Sequence, residues 1–320
     1  MSKLPDAVPC PDKPPLHLKG GYLCVAAPSD LTEACFSVPA VRALRHFRPQ
    51  STLVILCPES QAPMWITMDE LNAVITYPDK ASARQIGKIL GKNDTRFESA
   101  ISWEAGEPAK AFARAEILQR LGYPAPGLVK FLTDIVEVVM PPGPIEHRVR
   151  HYLNFVKKLG GDAFVKANFQ SKPLGDAPVS FRIALAKDSN YGESYQWSQE
   201  KFKEVAYEME RRHSGIEWVN IESGNDIGES LSELQKCSAL LACDSKIAHL
   251  AAHIGLPSAV IFGPNEPEWK RPLGKQCNVV REHVACSPCH LAKCPLDHRC
   301  QNDITVEMVV AELEVALALR

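Results

Sequence analysis

The sequence predicts an α/β protein built from two doubly wound domains with parallel sheets. Three observations carry this. Short runs that are apolar throughout alternate with helical patterns of about ten residues, which is the signature of parallel strands covered on both faces. The alternation stops in a polar stretch containing Pro and Gly, "VKANFQSKPLGDAPVS" (165–180), and then restarts. The chain has 320 residues, enough for two separate cores.

The elements follow in order. "GYLCVAAP" (21–28) is a strand, and "SVPAVRALRHF" (37–47) has helical periodicity. "STLVILCPE" reads as a strand, "QAPMWITMDEL" as a helix, "NAVITYP" as a strand, "SARQIGKILG" as a helix and "ESAISWE" as a fourth strand. Helices are expected at "PAKAFARAEILQRLG" (108–122) and "EHRVRHYLNFVKKLG" (146–160). The second unit runs strand "FRIALAK" (181–187), helix "SQEKFKEVAYEMERR", strand "IEWVNIE", helix "SLSELQKC", strand "ALLAC", helix "KIAHLAAHIG" and strand "SAVIFG". It closes on the amphipathic "TVEMVVAELEVALAL", with Thr305 as cap. The expected domains are 21–174 and 175–320, after a loose Pro- and Lys-rich arm over 1–20. Two such units place a cleft between the carboxyl ends of their sheets.

Apolar residues make up 45% of the chain, charged residues 23%, and the net charge is −2. No global electrostatic attraction to nucleic acid follows from that balance. The N-terminus has no apolar h-region and no run reaches membrane-spanning length. Eleven cysteines, seven of them scattered outside the cluster near the C-terminus, fit reduced thiols in a cytoplasmic protein.

The most informative stretch is "LLACDSKIAHLAAHIGLPSAVIFGP" (240–264). A buried strand ends in Asp244-Ser245, and a helix starts at Lys246. Ile247, Leu250, Ala251 and Ile254 form its apolar face, while Lys246, His249 and His253 share another. Strand, tight turn and helix N-terminus make an anion site, because free N–H groups and the helix dipole converge there. Simple capping by Asp244 or Ser245, with the histidines on the surface, is the competing reading.

Extended downstream, "DSKIAHLAAHIGLPSAVIFGPNEPEWKRPLG" resembles the donor-binding signature of glycosyltransferase family 9, the ADP-heptose:lipopolysaccharide heptosyltransferases. "SVPAVRALRHFRP" is similar to that family's first helix, and "ACSPCHLAKCPLDHRCQNDIT" to the Cys-rich tail of many members. The resemblance implies the GT-B architecture, with acceptor on the first domain and nucleotide sugar on the second. It implies that Asp244, Ser245, Lys246 and His249 surround the donor diphosphate. Lys246 stands where the family has Gly, and His253 where it has Ala. Tyr195 and Ser198 replace a phosphate-contacting Lys and a Pro, so Lys187 at the preceding strand end is the substitute cation. Glu222 is the nearest carboxylate for the donor ribose.

An inverting transfer needs a carboxylate to take the acceptor's proton. The family's base is an Asp six residues before the helix Pro. In "SDLTEACFSVPAVRAL" that position is Glu33, with Asp30 the second choice. Asp30 and Glu33 also have capping-box spacing, Asp30 as N-cap and Glu33 reaching back.

Cys286, Cys289, Cys294 and Cys300 follow C-x2-C-x4-C-x5-C in a loop over 286–300. A structural Zn or an iron–sulfur cluster, two disulfides, or four free thiols all suit that spacing, with His290 and His298 as alternate ligands. Catalysis itself is expected to need no metal cofactor, since the helix N-terminus and basic side chains hold the diphosphate.

The resulting expectation is a cytoplasmic transferase, peripheral to the inner membrane. It would move a sugar, heptose by resemblance, from an ADP-heptose-like donor to a glycolipid or cell-envelope saccharide. The basic stretch "VRALRHFR" (41–48) is either a membrane-facing surface or an ordinary solvated helix face. Two rivals keep the fold: a non-catalytic nucleotide- or saccharide-binding relative, and a nucleotide-sugar epimerase.

Overall fold

The computed structural model of the chain describes residues 16–92, 96–137, 145–171 and 181–318. The first unit runs β1 (Tyr22–Ala26), α1 (Leu31–Phe47), β2 (Thr52–Pro58), α2 (Ala62–Ile66), β3 (Ala73–Tyr77), α3 (Ala83–Lys92), β4 (Ser99–Ser102), α4 (Glu107–Arg114), β5 (Gln119–Gly122), β6 (Asp134–Ile135) and α5 (Val149–Lys158). Its strands pair in parallel in the order β3-β2-β1-β4-β5-β6. The second unit runs β7 (Phe181–Ala186), α6 (Gln199–Arg212), β8 (Ile216–Asn220), α7 (Ile227–Gln235), β9 (Ala239–Cys243), α8 (Lys246–His253), β10 (Ser258–Phe262), α9 (Pro267–Lys270), β11 (Cys277–Arg281), α10 (Arg299–Asn302) and α11 (Val306–Ala318). It forms a second parallel sheet in the order β11-β10-β9-β7-β8.

Strand order reverses between β1 and β4 in the first sheet and between β7 and β9 in the second. Ligands of such sheets bind outside the carboxyl ends of the strands at these reversals. Polar bonds tie the paired loops there. Ser29 N donates to Glu104 Oε1 at 2.8 Å, joining the loops after β1 and β4. Ser189 Oγ donates to the Asp244 carbonyl at 2.6 Å, joining those after β7 and β9.

One hydrophobic core runs through both units, including Phe36 and Leu44 of α1, Leu153 and Val156 of α5, and Ile247 and Leu250 of α8. Separate clusters cover the outer face of each sheet, one around Leu56, Ile86 and Phe112 and the other around Phe202, Leu241 and Leu313. α1 is buried continuously from Ala34 to Leu44 because it packs against both α5 and α8.

Several expectations change. The helix expected over 108–122 ends at Arg114, and its last residues form β5. Glu116 takes φ 52, which stops the helix, and Gln119–Gly122 gain ladder partners in β4. Such pairing overrides helix propensity. β6 and β11 are further strands that the sequence reading lacks. α1 starts at Leu31, ahead of the periodic stretch at 37, because Asp30 caps it.

Residues 16–20, read as the end of a loose arm, are anchored. Leu18 is buried, Leu16 N donates to the Lys158 carbonyl, and Lys19 N donates to Gln119 Oε1. Residues 1–15 of that arm, and the 174/175 boundary, lie outside the described residues. The stretch 41–48 is largely engaged within the first unit. Val41, Ala43 and Leu44 are buried, Arg42 is paired with Glu70, and Arg45 donates to the Glu70 and Ser51 carbonyls. No described helix is long and apolar enough to cross a membrane.

Candidate active site

The two sheet reversals face each other across the contact between α1 and α8, and most of the sequence-nominated residues collect there. Asp30 is the N-cap of α1. Its Oδ1 accepts from Thr32 N at 2.9 Å and Glu33 N at 3.2 Å, satisfying two of the helix's free N–H groups. Glu33 does not complete a capping box. Its carboxylate turns to α5, where Arg148 Nε donates to both oxygens at 3.0 and 2.9 Å and Tyr152 OH donates to Oε2 at 2.6 Å. Burial works against the charge on Arg148, and Glu33 beside it more than offsets that, so the guanidinium is held above its usual value. Burial, followed by the Glu33 charge, pushes the Tyr152 phenol well up, so it stays a donor.

On the second unit, Asp244 is 1% exposed and follows β9. Its Oδ2 accepts from Asn265 Nδ2 at 2.8 Å, while Oδ1 is buried without a partner. Burial raises its pKa to about 7, against the lowering effects of Asn265 and Lys270. Ser245 Oγ and both ring nitrogens of His249 are likewise buried and unpartnered. Burial, with His147 and Lys270 nearby, drives His249 down to about 3.

Lys246 departs from the expected cradle in two ways. Its backbone N–H donates to Asn190 Oδ1 at 2.9 Å, and its ammonium lies 3.8 Å from Asp30 Oδ2 across the cleft. Thr32 Oγ1 and Tyr191 OH make a second bridge at 2.5 Å. Deeper in, Phe36 stands edge-on to His147 at 5.1 Å and to His249 at 5.0 Å. His253 Nε2 meets Thr67 Oγ1 at 2.8 Å. Beside these rings a cavity of about 30 Å³, lined by Cys35, Arg42, His249 and His253 among others, has room for a water or two.

Lys187 directly follows β7 and is half-buried, with its carbonyl 3.4 Å from Cys243 Sγ. Glu222 is exposed in the turn after β8. It stands apart from the residues lining the neighbouring 520 Å³ depression, which include Asn220, Asn225 and Ser230. Ser198 caps α6, and Tyr195 is buried beside Tyr191.

Of the three arrangements that suit the spacing of the cysteine loop, the described residues have that of free thiols. Cys286, Cys289, Cys294 and Cys300 are free thiols, with Cys300 buried and Cys289 exposed. Burial and the three other thiols push Cys300 up to about 11. Among the described residues no three His, Cys, Asp or Glu side chains are grouped to hold a metal. Both alternate ligands have other partners: His290 Nδ1 meets Asn265 Oδ1 at 3.1 Å, and His298 Nε2 meets the Ser194 carbonyl at 2.8 Å. Polar bonds fix the loop instead. Cys289 N and His290 N donate to the Pro264 carbonyl, and Ser287 Oγ donates to the Gly263 carbonyl. Through His290 and Asn265 the loop buttresses Asp244.

Arg148, Tyr152, Asn190 and Asn265 were not nominated from sequence, and His290 only as an alternate metal ligand. Arg148 and Tyr152 share an α5 face by i, i+4 spacing, but spacing says nothing about what that face meets.

The buried ionisable groups set a pH dependence with worked signs. Asp244, raised from 3.8 to about 7, contributes stability that is present below the lower value and lost as pH rises through the upper one. Asp244→Asn is therefore expected to raise the unfolding temperature at pH 8 and to change it little near pH 4. His147, His249 and His253 are all depressed, chiefly by burial. Their contribution is present above about pH 6.5 and lost as pH falls toward 4. Thermal unfolding of both proteins from pH 4 to 8 checks the two signs. An equal offset of the variant at every pH would contradict the Asp244 assignment.

The chain is similar to several known proteins. The family model described as glycosyltransferase family 9 (heptosyltransferase) matches residues 196–299. Lipooligosaccharide heptosyltransferase 2 of Haemophilus influenzae is 26% identical over 103 residues, 31% of this chain and 30% of that protein. The chain thus matches less than a third of that relative's length. Lipopolysaccharide heptosyltransferase 2 of Escherichia coli K12 is 21% identical over 92% of this chain and 98% of the relative. Among solved structures, a family 9 glycosyl transferase from Veillonella parvula superposes with TM-score 0.78 at 14% identity, covering 96% of this chain and 100% of that one. The E. coli heptosyltransferase WaaC with ADP gives TM-score 0.69 at 14% identity, covering 92% and 99%. The two-domain arrangement of the chain is the GT-B fold.

Proposed function

We propose, from the match of residues 196–299 to the glycosyltransferase family 9 model, an inverting sugar transfer in the cleft between the two sheets. The donor is a nucleoside-diphosphate sugar of the ADP-heptose type. The acceptor is a hydroxyl of a lipopolysaccharide core or another cell-envelope saccharide, met at the cytoplasmic face of the inner membrane. The observation that carries this reading is the placement of Glu33 at the reversal of the first sheet, opposite the N-terminus of α8 at the reversal of the second.

Glu33 acts as the base. The acceptor oxygen bonds to the anomeric carbon as its proton passes to the Glu33 carboxylate. The bond from that carbon to the donor phosphate oxygen breaks, and its electron pair leaves with the diphosphate. Asp244, Ser245, Lys246 and His249 surround that leaving group, where the helix N-terminus and the Lys246 ammonium meet the developing charge. The partnerless Ser245 Oγ and His249 nitrogens are buried polar groups of the kind a bound ligand satisfies. Lys187 and Glu222 stand on the loops that flank this end of the sheet, and donor contacts are assigned to them on that basis. Lys246 must leave Asp30 to reach a diphosphate, an exchange of one partly exposed ion pair for a stronger charge-assisted one.

Calorimetric titration with ADP, UDP and GDP tests the reading, with Lys246→Ala run beside the unaltered chain. Saturable binding of one nucleotide, weakened about tenfold in the variant, is the expected result. Absence of binding by all three at millimolar concentration would leave a GT-B scaffold serving another purpose.

A further inference from the structure

Arg148 and Tyr152 engage the two oxygens of the partly buried Glu33 carboxylate unequally. Tyr152 OH donates to Oε2 alone, at 2.6 Å, while the single Nε–H of Arg148 is shared between Oε2 at 2.9 Å and Oε1 at 3.0 Å. A carboxylate oxygen offers two lone-pair directions. Oε2 is therefore the more heavily engaged oxygen, and Oε1 is the freer of the two to accept a further hydrogen.

The helix supplying these donors is tied to the second domain. Arg148 N donates to the Trp269 carbonyl at 2.8 Å. His147 Nδ1 accepts from Val149 N at 3.1 Å, so its Nε2–H is left to donate to the Arg271 carbonyl at 2.8 Å. Trp269 in turn stacks edge-on against His290, whose Nδ1 meets Asn265, the partner of Asp244. A short chain of contacts thus links the clamp on Glu33 to the residues proposed to hold the donor diphosphate.

We infer that Arg148 and Tyr152 are positioning residues for the transfer step, holding Glu33 so that Oε1 is the atom that takes the acceptor's proton. The inference rests on the reading of Glu33 as the base. In the balanced step, the proton goes from the acceptor hydroxyl to Oε1. The acceptor oxygen gains its bond to the anomeric carbon, and the diphosphate carries off the electron pair of the broken bond. Arg148 and Tyr152 exchange no proton and touch neither substrate; they act only through the carboxylate.

The test uses the full chain with ADP-heptose and a deacylated lipopolysaccharide core, comparing Glu33→Gln, Arg148→Gln, Tyr152→Phe and the double variant E33Q/R148Q. Arg148→Gln is expected to lower kcat on the order of 100-fold and Tyr152→Phe about tenfold, each with donor KM within about threefold of the unaltered value. The double variant is expected to be no slower than Glu33→Gln alone, since residues acting as one unit are non-additive. Guanidinium added at low millimolar concentration should restore part of the kcat of Arg148→Ala. A merely structural ion pair would lower the unfolding temperature and leave kcat at saturation unmoved.

Multiplying losses in the double variant, or full kcat in both Arg148→Gln and Tyr152→Phe, would overturn the positioning role while leaving the base in place. Full activity of Glu33→Gln, or no transfer by the unaltered chain, would instead overturn the reading beneath it. Should Arg148→Gln fail to fold, Tyr152→Phe, which removes a single hydroxyl, carries the same comparison.

Discussion

Glu33→Gln should reduce transfer by two to four orders of magnitude, the range for loss of a general base, with nucleotide affinity essentially unchanged. Gln keeps the size of Glu and can still accept from Arg148 Nε and Tyr152 OH, so the α1–α5 contact persists. What it removes is the capacity to take a proton. Glu33 also lies on the first domain while the proposed diphosphate ligands lie on the second, which is why binding and chemistry should separate. Stopped-time transfer assays and calorimetry on one preparation check both halves. Loss of nucleotide binding along with activity would show that Glu33 holds the cleft together rather than serving as the base. Asp30 is the poorer candidate because its Oδ1 is engaged in capping, so Asp30→Asn should cost far less in kcat than Glu33→Gln.

Phe36→Ala should lower the free energy of unfolding by about 3–5 kcal/mol, the cost of emptying a fully buried aromatic site. Phe36 is 0% exposed and belongs to α1 of the first domain. Its ring meets His147 at the start of α5 and His249 of α8 in the second domain. Collapse around the missing ring would require the two domains to move together, so relaxation should recover little of that cost. The neighbouring 30 Å³ cavity shows that packing there is already incomplete. Urea denaturation followed by tryptophan fluorescence measures the effect, and Phe36→Leu should cost less than half as much. A cost for Phe36→Ala below about 1 kcal/mol would mean that the domains are not wedged through this ring. The depressed pKa of His249 follows from the same packing: burial leaves its imidazole no solvent to stabilise a charge.

The cysteine loop separates spacing from geometry. Four cysteines in fifteen residues satisfy the linear requirement for a metal or for two disulfides. In three dimensions Cys300 is buried at the first turn of α10 while Cys289 is exposed, and the two nearby histidines hydrogen-bond elsewhere. Hydrogen bonds to Gly263 and Pro264 do the work of the clip. The helix expected over 108–122 failed for a related reason. Its apolar residues suit either a helix or a covered strand, and only pairing with β4 decides between them.

Most of the strand and helix alternation, the α8 turn at Asp244-Ser245 and the cap at Asp30 were determined by the sequence itself. Each is a local matter of periodicity or of a side chain bonding its own backbone a few residues away. The partners of Glu33 and Lys246 were decided only by tertiary structure. Arg148 lies 115 positions from Glu33, and Asn190 lies 56 from Lys246. No short-range pattern specifies a contact over such a distance. It arises because both sheets wind so that their reversals face each other, and because burying α1 between α5 and α8 brings those side chains to one place.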